Sequence, residues 1–498
     1  MSHPRTAPAR ALVGAALALA VLAAPLAAQK KGDARLEEAT KLVRKPQEGD
    51  LRQGAFLCAE IDSVASIELL LDILGADQPH RRDIVWEALP SFTDPAARAR
   101  VREELAKNKK NERTRQWCAQ LLGLYGDAES VKELTKALGD KFGDVRAAAA
   151  QALGRIGDAG ALKALEKAAD DKEYAVRAYA REALARIDAA GHGDALREGL
   201  ADGEAGVRCF LLGCVPELLP DEVLALSGPA LADPDWRVRL QAAQNLGAER
   251  SREAVDALIE VSGDPRPIVA SGVRASLSKL TGMAWNKPEQ WKTWWAGERE
   301  GFDPAVPRAP KASDDGERTV SVRYNDLPVE SDHVAFLIDV SSEMKARLKS
   351  LQGTKGEAAY GELSRVLGLL EGRLVFNVFA YDTLAAAFEK GPVELDAKTA
   401  KKALAFVEGA HARGAKDIWN ALLTALGDTE LDTLYLLASG EPEIGLYVHH
   451  NRITEHLREL QRFHKVVVHG VAYTDEDWYA KQIEEVCKAT GGEFRRVQ

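Results

Sequence analysis

The 498-residue sequence predicts an α-solenoid of about eight two-helix repeats followed by an α/β doubly wound domain. Three observations predict it. Aspartates stand 31 residues apart at Asp140, Asp171, Asp202, Asp233 and Asp264. Five residues after each comes a valine, and behind the first four valines an arginine: Arg146, Arg177, Arg208 and Arg239. A fixed period in this range marks units that stack only on their neighbours. Past residue 316 that period ends, and buried-strand runs alternate with helical stretches instead.

Each repeat reads as two helices. In the clearest, Asp158 caps a first helix with an apolar stripe at Leu162, Leu165 and Ala169. Asp171 then opens the turn into a second helix carrying Val176, Ala180 and Leu184. The same frame places Leu134, Leu165, Leu196 and Leu258 in one series, and Leu122, Leu153, Leu184, Val215, Leu246 and Leu277 in another. Earlier copies are looser, with Arg52, Arg82 and Arg115 spaced by 30 and 33 residues. The array spans residues 35–282. Cys58, Cys118, Cys209 and Cys214 fall on second helices and Cys487 on a late helix, so they read as small buried hydrophobes and not as a disulfide framework. Trp285, Trp291, Trp294 and Trp295, within 283–300, read as a terminal cap over the last exposed core face. A carbohydrate-stacking platform is the sharper alternative for them.

At this length a single core is excluded, and 46% hydrophobic with 29% charged residues is an ordinary globular composition. The net charge is −10, which argues against a nucleic-acid partner whose affinity would rest on neutralised phosphates. Residues 1–29 form a leader: Arg5 and Arg10 precede the uncharged run Ala11 to Ala23, and small residues follow to Ala28. This is a secretory signal peptide pattern and predicts export to the periplasm, cell envelope or medium. An uncleaved leader would instead act as a membrane anchor.

Residues 301–329 form a linker, with three prolines among 301–316, and predict loosely oriented domains. Beyond it, VAFLIDV, LVFNVFAY, LDTLYLLAS and KVVVHGVAY are buried-strand runs. Helical stretches lie between them at Gly356 to Leu370, Lys398 to Glu408, Ile418 to Leu426 and Ile453 to Phe463. In such folds ligands sit at the carboxyl ends of the strands.

Two resemblances rest on these residues. The phrases DVRAAAAQALGRIGD and WRVRLQAAQNLG resemble HEAT-like repeats of the phycobilin-lyase type, which implies that the Asp and Arg series stacks as a hydrogen-bonded ladder. Asp339 to Met344 after the first strand, Gly414 to Ile418 before a later helix and Ala438 to Pro442 after a central strand resemble a von Willebrand factor A domain over 330–498. That resemblance implies a divalent cation, usually Mg²⁺, held by an Asp-x-Ser-x-Ser loop, a threonine and a distal aspartate. Here Asp339 and Ser341 remain, but Glu343, Lys416 and Ser439 replace the other three, with Asp417 beside Lys416. An ammonium has no lone pair to give, and a divalent ion 4 Å from it would be repelled by roughly 8 kcal/mol at an effective dielectric of 20. The expectation is therefore a degenerate adhesion site without a metal, in which Lys416 pairs with Asp339, alone or together with Glu343. Any ion held there would use Asp339, Ser341 and Glu343.

Other constellations are weaker. His449, His450 and His456 read as a solvated helix end, and His469 as a core residue. The di-iron hydroxylases of the HEAT class use His-Glu pairs, and no His-Glu dipeptide occurs here. The reading is an exported, non-enzymatic interaction scaffold for a protein or extracellular polymer, with no cofactor. The alternatives are a divalent-cation-dependent adhesion receptor using a modified site and, more remotely, a hydrolase or lyase acting in the solenoid groove. The leader sets the first test. Intact-mass measurement of the protein recovered from its host should give a mature N-terminus near Gln29 or Lys30, whereas retained Met1 would identify an anchor.

Overall fold

The computed structural model describes residues 34–303, 306, 322–349, 353–410 and 414–498. The leader, with Arg5, Arg10 and the run Ala11 to Ala23, lies outside the described residues, as does most of the proline-rich stretch. The chain divides into two compact units after Glu133.

In the first unit the helices Glu48–Ile61, Val64–Leu74, Pro79–Ala88, Pro95–Lys107 and Glu112–Tyr125 pack as successive pairs. The early arginines are held in unlike ways. Arg52 pairs with Glu87 at 3.0 Å, Arg82 lies over the Trp117 ring at 5.0 Å, and Arg115 Nη1 donates to Asn108 O.

The second unit opens with the regular repeats. Their second helices are α1 (Gly143–Ile156), α2 (Tyr174–Ile187), α3 (Ala205–Leu218), α4 (Trp236–Leu246) and α5 (Pro267–Thr281). Val145, Val176, Val207, Val238 and Val269 are buried, as are the two leucine series, because each falls on the stripe between neighbouring helices. Close approach of α1 and α2 requires Gly154, where an added Cβ would lie 2.9 Å from Ala183 Cβ.

The arginine and aspartate series forms one contact repeated four times. Arg146, Arg177, Arg208 and Arg239 each grip the carboxylate of the next aspartate with Nε and Nη2: Asp171, Asp202, Asp233 and Asp264, at 2.7–3.1 Å. Nη1 of the same arginines donates to the backbone carbonyl of Asp140, Asp171, Asp202 or Asp233, six residues earlier. Each aspartate Oδ1 also accepts the N–H two residues on, closing the turn into its second helix. Burial raises the Asp171 and Asp202 carboxyls, but the arginine and backbone bonds outweigh it, so both lie below the ordinary value of 3.8.

The array ends on α6 (Pro288–Glu298). Trp291 and Trp295 are buried, Trp291 Nε1 donates to Trp285 O, and Trp295 Nε1 donates to Asp256, which also holds Arg299. Phe302, in the stretch read as linker, completes this cap 5.1 Å from Trp295. All five cysteines are free and buried.

The second part of this unit begins with a hairpin, β1 (Arg323–Tyr324) and β2 (Leu327–Pro328). It too lies in the stretch read as linker, yet Tyr324 is fully buried against Phe336 and Tyr435. The main sheet holds β3 (His333–Asp339), β4 (Val375–Tyr381), β5 (Ala385–Ala387), β6 (Val393–Glu394), β7 (Thr433–Ala438), β8 (Val467–Tyr473) and β9 (Phe494–Val497). Its order is β5-β4-β3-β7-β8-β9, parallel from β4 to β9, with β5 and β6 antiparallel on β4. Val334, Phe336 and Ile338 face α7 (Lys355–Leu369) and α8 (Ala397–Gly409). Ala335 and Leu337 face α9 (Ile418–Leu426), α10 (His450–His464) and α11 (Asp477–Lys488). This alternation is why both sides of the strands are apolar.

The expected looseness between repeats and sheet domain is corrected by α10, which packs on the second helices. Phe463 stacks on Phe210 at 4.6 Å and meets Tyr174 and Tyr179 edge-on. Arg462 donates to Glu182 at 2.9 Å with its guanidinium 3.7 Å over the Phe210 ring. Glu459 accepts from Gln151 and Tyr179. A second patch joins Arg266 to Asp432 and Glu430 O, and Trp236 Nε1 to Thr429 O. An aromatic stack flanked by desolvated charges fixes orientation, whatever the composition of the intervening chain.

The ladder sets the next test. Arg177 and Asp202 side chains are 17% and 8% exposed, so screening is weak, and Arg177→Ala should cost about 1.5–3 kcal/mol in denaturant unfolding. Asp202 has a depressed folded value, so its contribution is present above the unfolded 3.8 and lost as pH falls through the folded one. The cost of the substitution should therefore shrink in acid, and a cost of zero at neutral pH would mean that the arginine is merely solvated.

Candidate functional site

The carboxyl ends of β3 and β7 lie side by side where the connections diverge to opposite edges of the sheet, the point at which such folds bind ligands. Four segments meet there: Asp339 to Glu343 after β3, Thr354 and Lys355 at the start of α7, Lys416 and Asp417 before α9, and Ser439 to Glu443 after β7.

Asp339 is 1% exposed and its oxygens are occupied. Oδ1 accepts the Ser341 N–H at 2.8 Å, and Oδ2 accepts both the Ser439 N–H at 3.0 Å and the Ser439 hydroxyl at 2.6 Å. Lys416 is fully buried, and its ion pairs are with Glu343 Oε2 at 2.9 Å and Glu443 Oε1 at 3.7 Å. Of the two expected partners of Lys416, Glu343 is the one it meets; Asp339 is not, because Ser439 satisfies it from the other side. The Lys416–Glu343 contact falls short of hydrogen-bond geometry despite its distance. Ser341 Oγ is buried and has no hydrogen-bond partner among the described residues.

Asp417 stands apart from this cluster. It caps α9, with Oδ1 accepting the Asn420 N–H at 2.8 Å, and burial raises its carboxyl above the ordinary value. A buried lysine that the sequence reading missed completes the group. Lys355 is 8% exposed and donates from Nζ to Ser439 O at 3.1 Å. Burial lowers its pKa and the Lys416 charge lowers it further, against the opposing pull of Glu343 and Asp339. The signal was present: Lys355 is the first residue of a helix, where the dipole disfavours a cation.

These residues do not fit the divalent cation that the fold family implies. The donor set offers the Asp339 carboxylate, whose oxygens already hold three donors, the Glu343 and Glu443 carboxylates, both of which face Lys416, one free hydroxyl, and two ammoniums that can only repel the ion. Lys416 and Lys355 supply positive charge to the cluster from within the protein.

The other histidines are placed differently from expectation. His456 is no solvated helix end: it stacks on Tyr447 at 3.9 Å, and burial followed by the Arg452 charge pushes it well below the usual imidazole value. His469 is not enclosed in the core. It stacks on Tyr435 and lines a cavity of about 500 Å³ that also touches α4 and α5. At the opposite end of the strands Asp332, His333 and Asp432 come together, but Asp432 is engaged by Ser331, Thr433 and Arg266.

The HEAT-repeat family model matches residues 99–185 and 193–281. Human von Willebrand factor A domain-containing protein 3B is 22% identical over 171 residues, which are 33% of this chain and 12% of that protein. Among solved structures, the complex of CpcE and CpcF of phycocyanin lyase from Nostoc sp. PCC7120 is similar at 19% identity, over 53% of this chain and 94% of that one, with a TM-score of 0.26. A von Willebrand factor type A structure from Catenulispora acidiphila is similar at 18% identity, over 34% of this chain and 40% of that one, with a TM-score of 0.28. Human deoxyhypusine hydroxylase is similar at 18% identity, over 51% and 98%, with a TM-score of 0.24. The chain is a run of HEAT repeats followed by a von Willebrand factor A-like domain, an architecture that suggests a protein-interaction module.

Proposed function

We propose that the protein is an exported, non-enzymatic scaffold that binds a protein or extracellular polymer without a metal ion. The observation that carries this reading is the fully buried Lys416 ammonium held against Glu343, at the place where a cation-dependent receptor needs an open coordination position. The docking of α10 on the second helices supports it further. Phe463, Arg462 and Glu459 hold the sheet domain on the repeats, so the two together present one composite surface. The leader of residues 1–29 supports export.

Chelation separates this reading from that of a cation-dependent adhesion receptor. Full-length protein used as bait in an envelope extract should retain its partner equally in EDTA and in millimolar Mg²⁺. A partner retained only with Mg²⁺, and released by EDTA, would overturn the metal-free reading. Double substitution of Phe463 and Arg462 by alanine should weaken retention where the partner spans both domains, and should lower the unfolding temperature in either case.

A further inference from the structure

We infer that Lys355 is a second resident cation of the altered site, and that Lys355 and Lys416 together stand in for a divalent ion. This rests on the metal-free reading above and adds to it a residue that no motif of the sequence assigns. Lys355 opens α7 directly after the Thr354 cap, whose hydroxyl accepts the Glu357 N–H while Glu357 reaches back to the Thr354 N–H. That capping box fixes the first turn and directs the lysine inward. Its Nζ binds the Ser439 carbonyl at 3.1 Å, on the residue whose N–H and hydroxyl both hold Asp339. Lys416 reaches the cluster from the α9 loop and meets Glu343.

The arrangement is close-packed. A Cβ on Gly440 would lie 2.0 Å from Glu343 Oε2 and 2.9 Å from Lys416 Nζ, so the third loop touches both groups of the ion pair. Two ammoniums from different segments therefore stand among Asp339, Glu343 and Glu443, and their combined charge equals that of one divalent ion. Asp339 is buried while Glu343 is half-exposed, and a third positive centre beside two lysines would be strongly unfavourable.

The consequence is specific. Restoring the family's own ligands at the two obvious positions, Lys416→Thr with Ser439→Asp, leaves one buried ammonium in place and should not create metal binding. Adding Lys355→Gln removes that charge and keeps an N–H for the Ser439 carbonyl. Each variant, in the full chain, would be titrated with Mg²⁺ and Mn²⁺ by calorimetry and followed by thermal unfolding. The expected result is no binding by the unaltered protein or the double variant, and a saturable, stabilising interaction with at least tenfold higher affinity in the triple variant.

Binding by the double variant equal to that of the triple would overturn the role of Lys355 while leaving the metal-free reading intact. Binding by the unaltered protein would overturn both. Should the triple variant fail to fold, a double-mutant cycle of Lys355→Gln and Lys416→Met on the unfolding temperature decides the matter. Like charges in one site require Lys355→Gln to be more favourable with Lys416 present than in the methionine background. Additive effects would place Lys355 outside the site and sink the inference.

Discussion

Each ladder arginine does two things at once, and the regular repeats depend on it. Its Nη1 holds the carbonyl of its own repeat's aspartate, six residues back, and its Nε–Nη2 edge holds the next repeat's carboxylate, 25 residues on. The two spans together make the 31-residue period. The same carboxylate closes the turn into its own second helix, so stacking and turn geometry share one anion. A planar guanidinium suits this role and a lysine would not, because two parallel bonds and a third to a carbonyl need a fixed fork of donors. Exposed ion pairs contribute little, but these arginines and their partners are mostly enclosed, which raises the effective strength of each bond.

A frame held this regularly presents its second helices as a stable surface, and the sheet domain uses it. The aromatic residues Tyr174, Tyr179 and Phe210 break the Ala and Leu habit of those helices and receive Phe463. Helix α10 follows the Ser439 to Glu443 loop, so the segment that lines the altered site leads into the segment that grips the repeats. Part of the second-helix face is thereby covered by the chain itself, and a partner must use what remains of it or the edges of the composite.

The ladder was legible because its chemistry repeats at a fixed interval, and the strand–helix alternation because buried parallel strands leave continuous apolar runs. Lys416 was legible as a substitution and Glu343 as one of its two candidate partners, but not which of the two it meets. Whether Asp339 was free to pair depended on the Ser439 hydroxyl, a contact between two loops 100 residues apart. Lys355 was hidden for a related reason: a lysine at a helix start reads as solvated unless its unfavourable place on the dipole is weighed. The hairpin at Tyr324 and the cap residue Phe302 escaped notice because two-residue strands and single anchors carry no period. The docking of α10 escaped because aromatic residues at repeat positions look like ordinary core.

The altered site is best understood as a set of changes that make sense only together. Without a cation, the second oxygen of Asp339 needs donors, and Ser439 supplies two of them where a carboxylate would supply repulsion. With that charge gone, Asp339 and Glu343 need a positive counterpart, which Lys416 and Lys355 provide from different segments. Either half alone would be less favourable: lysines beside a retained metal would repel it, and serine without lysines would leave Asp339, which is buried, without a positive charge near it. The Ser341 hydroxyl, buried and without a partner among the described residues, is kept with Asp339 where the other three ligand positions have changed. The Ser439 bonds to Asp339 and the Lys416–Glu343 and Lys355–Ser439 contacts tie the loops after β3 and β7 to the starts of α7 and α9.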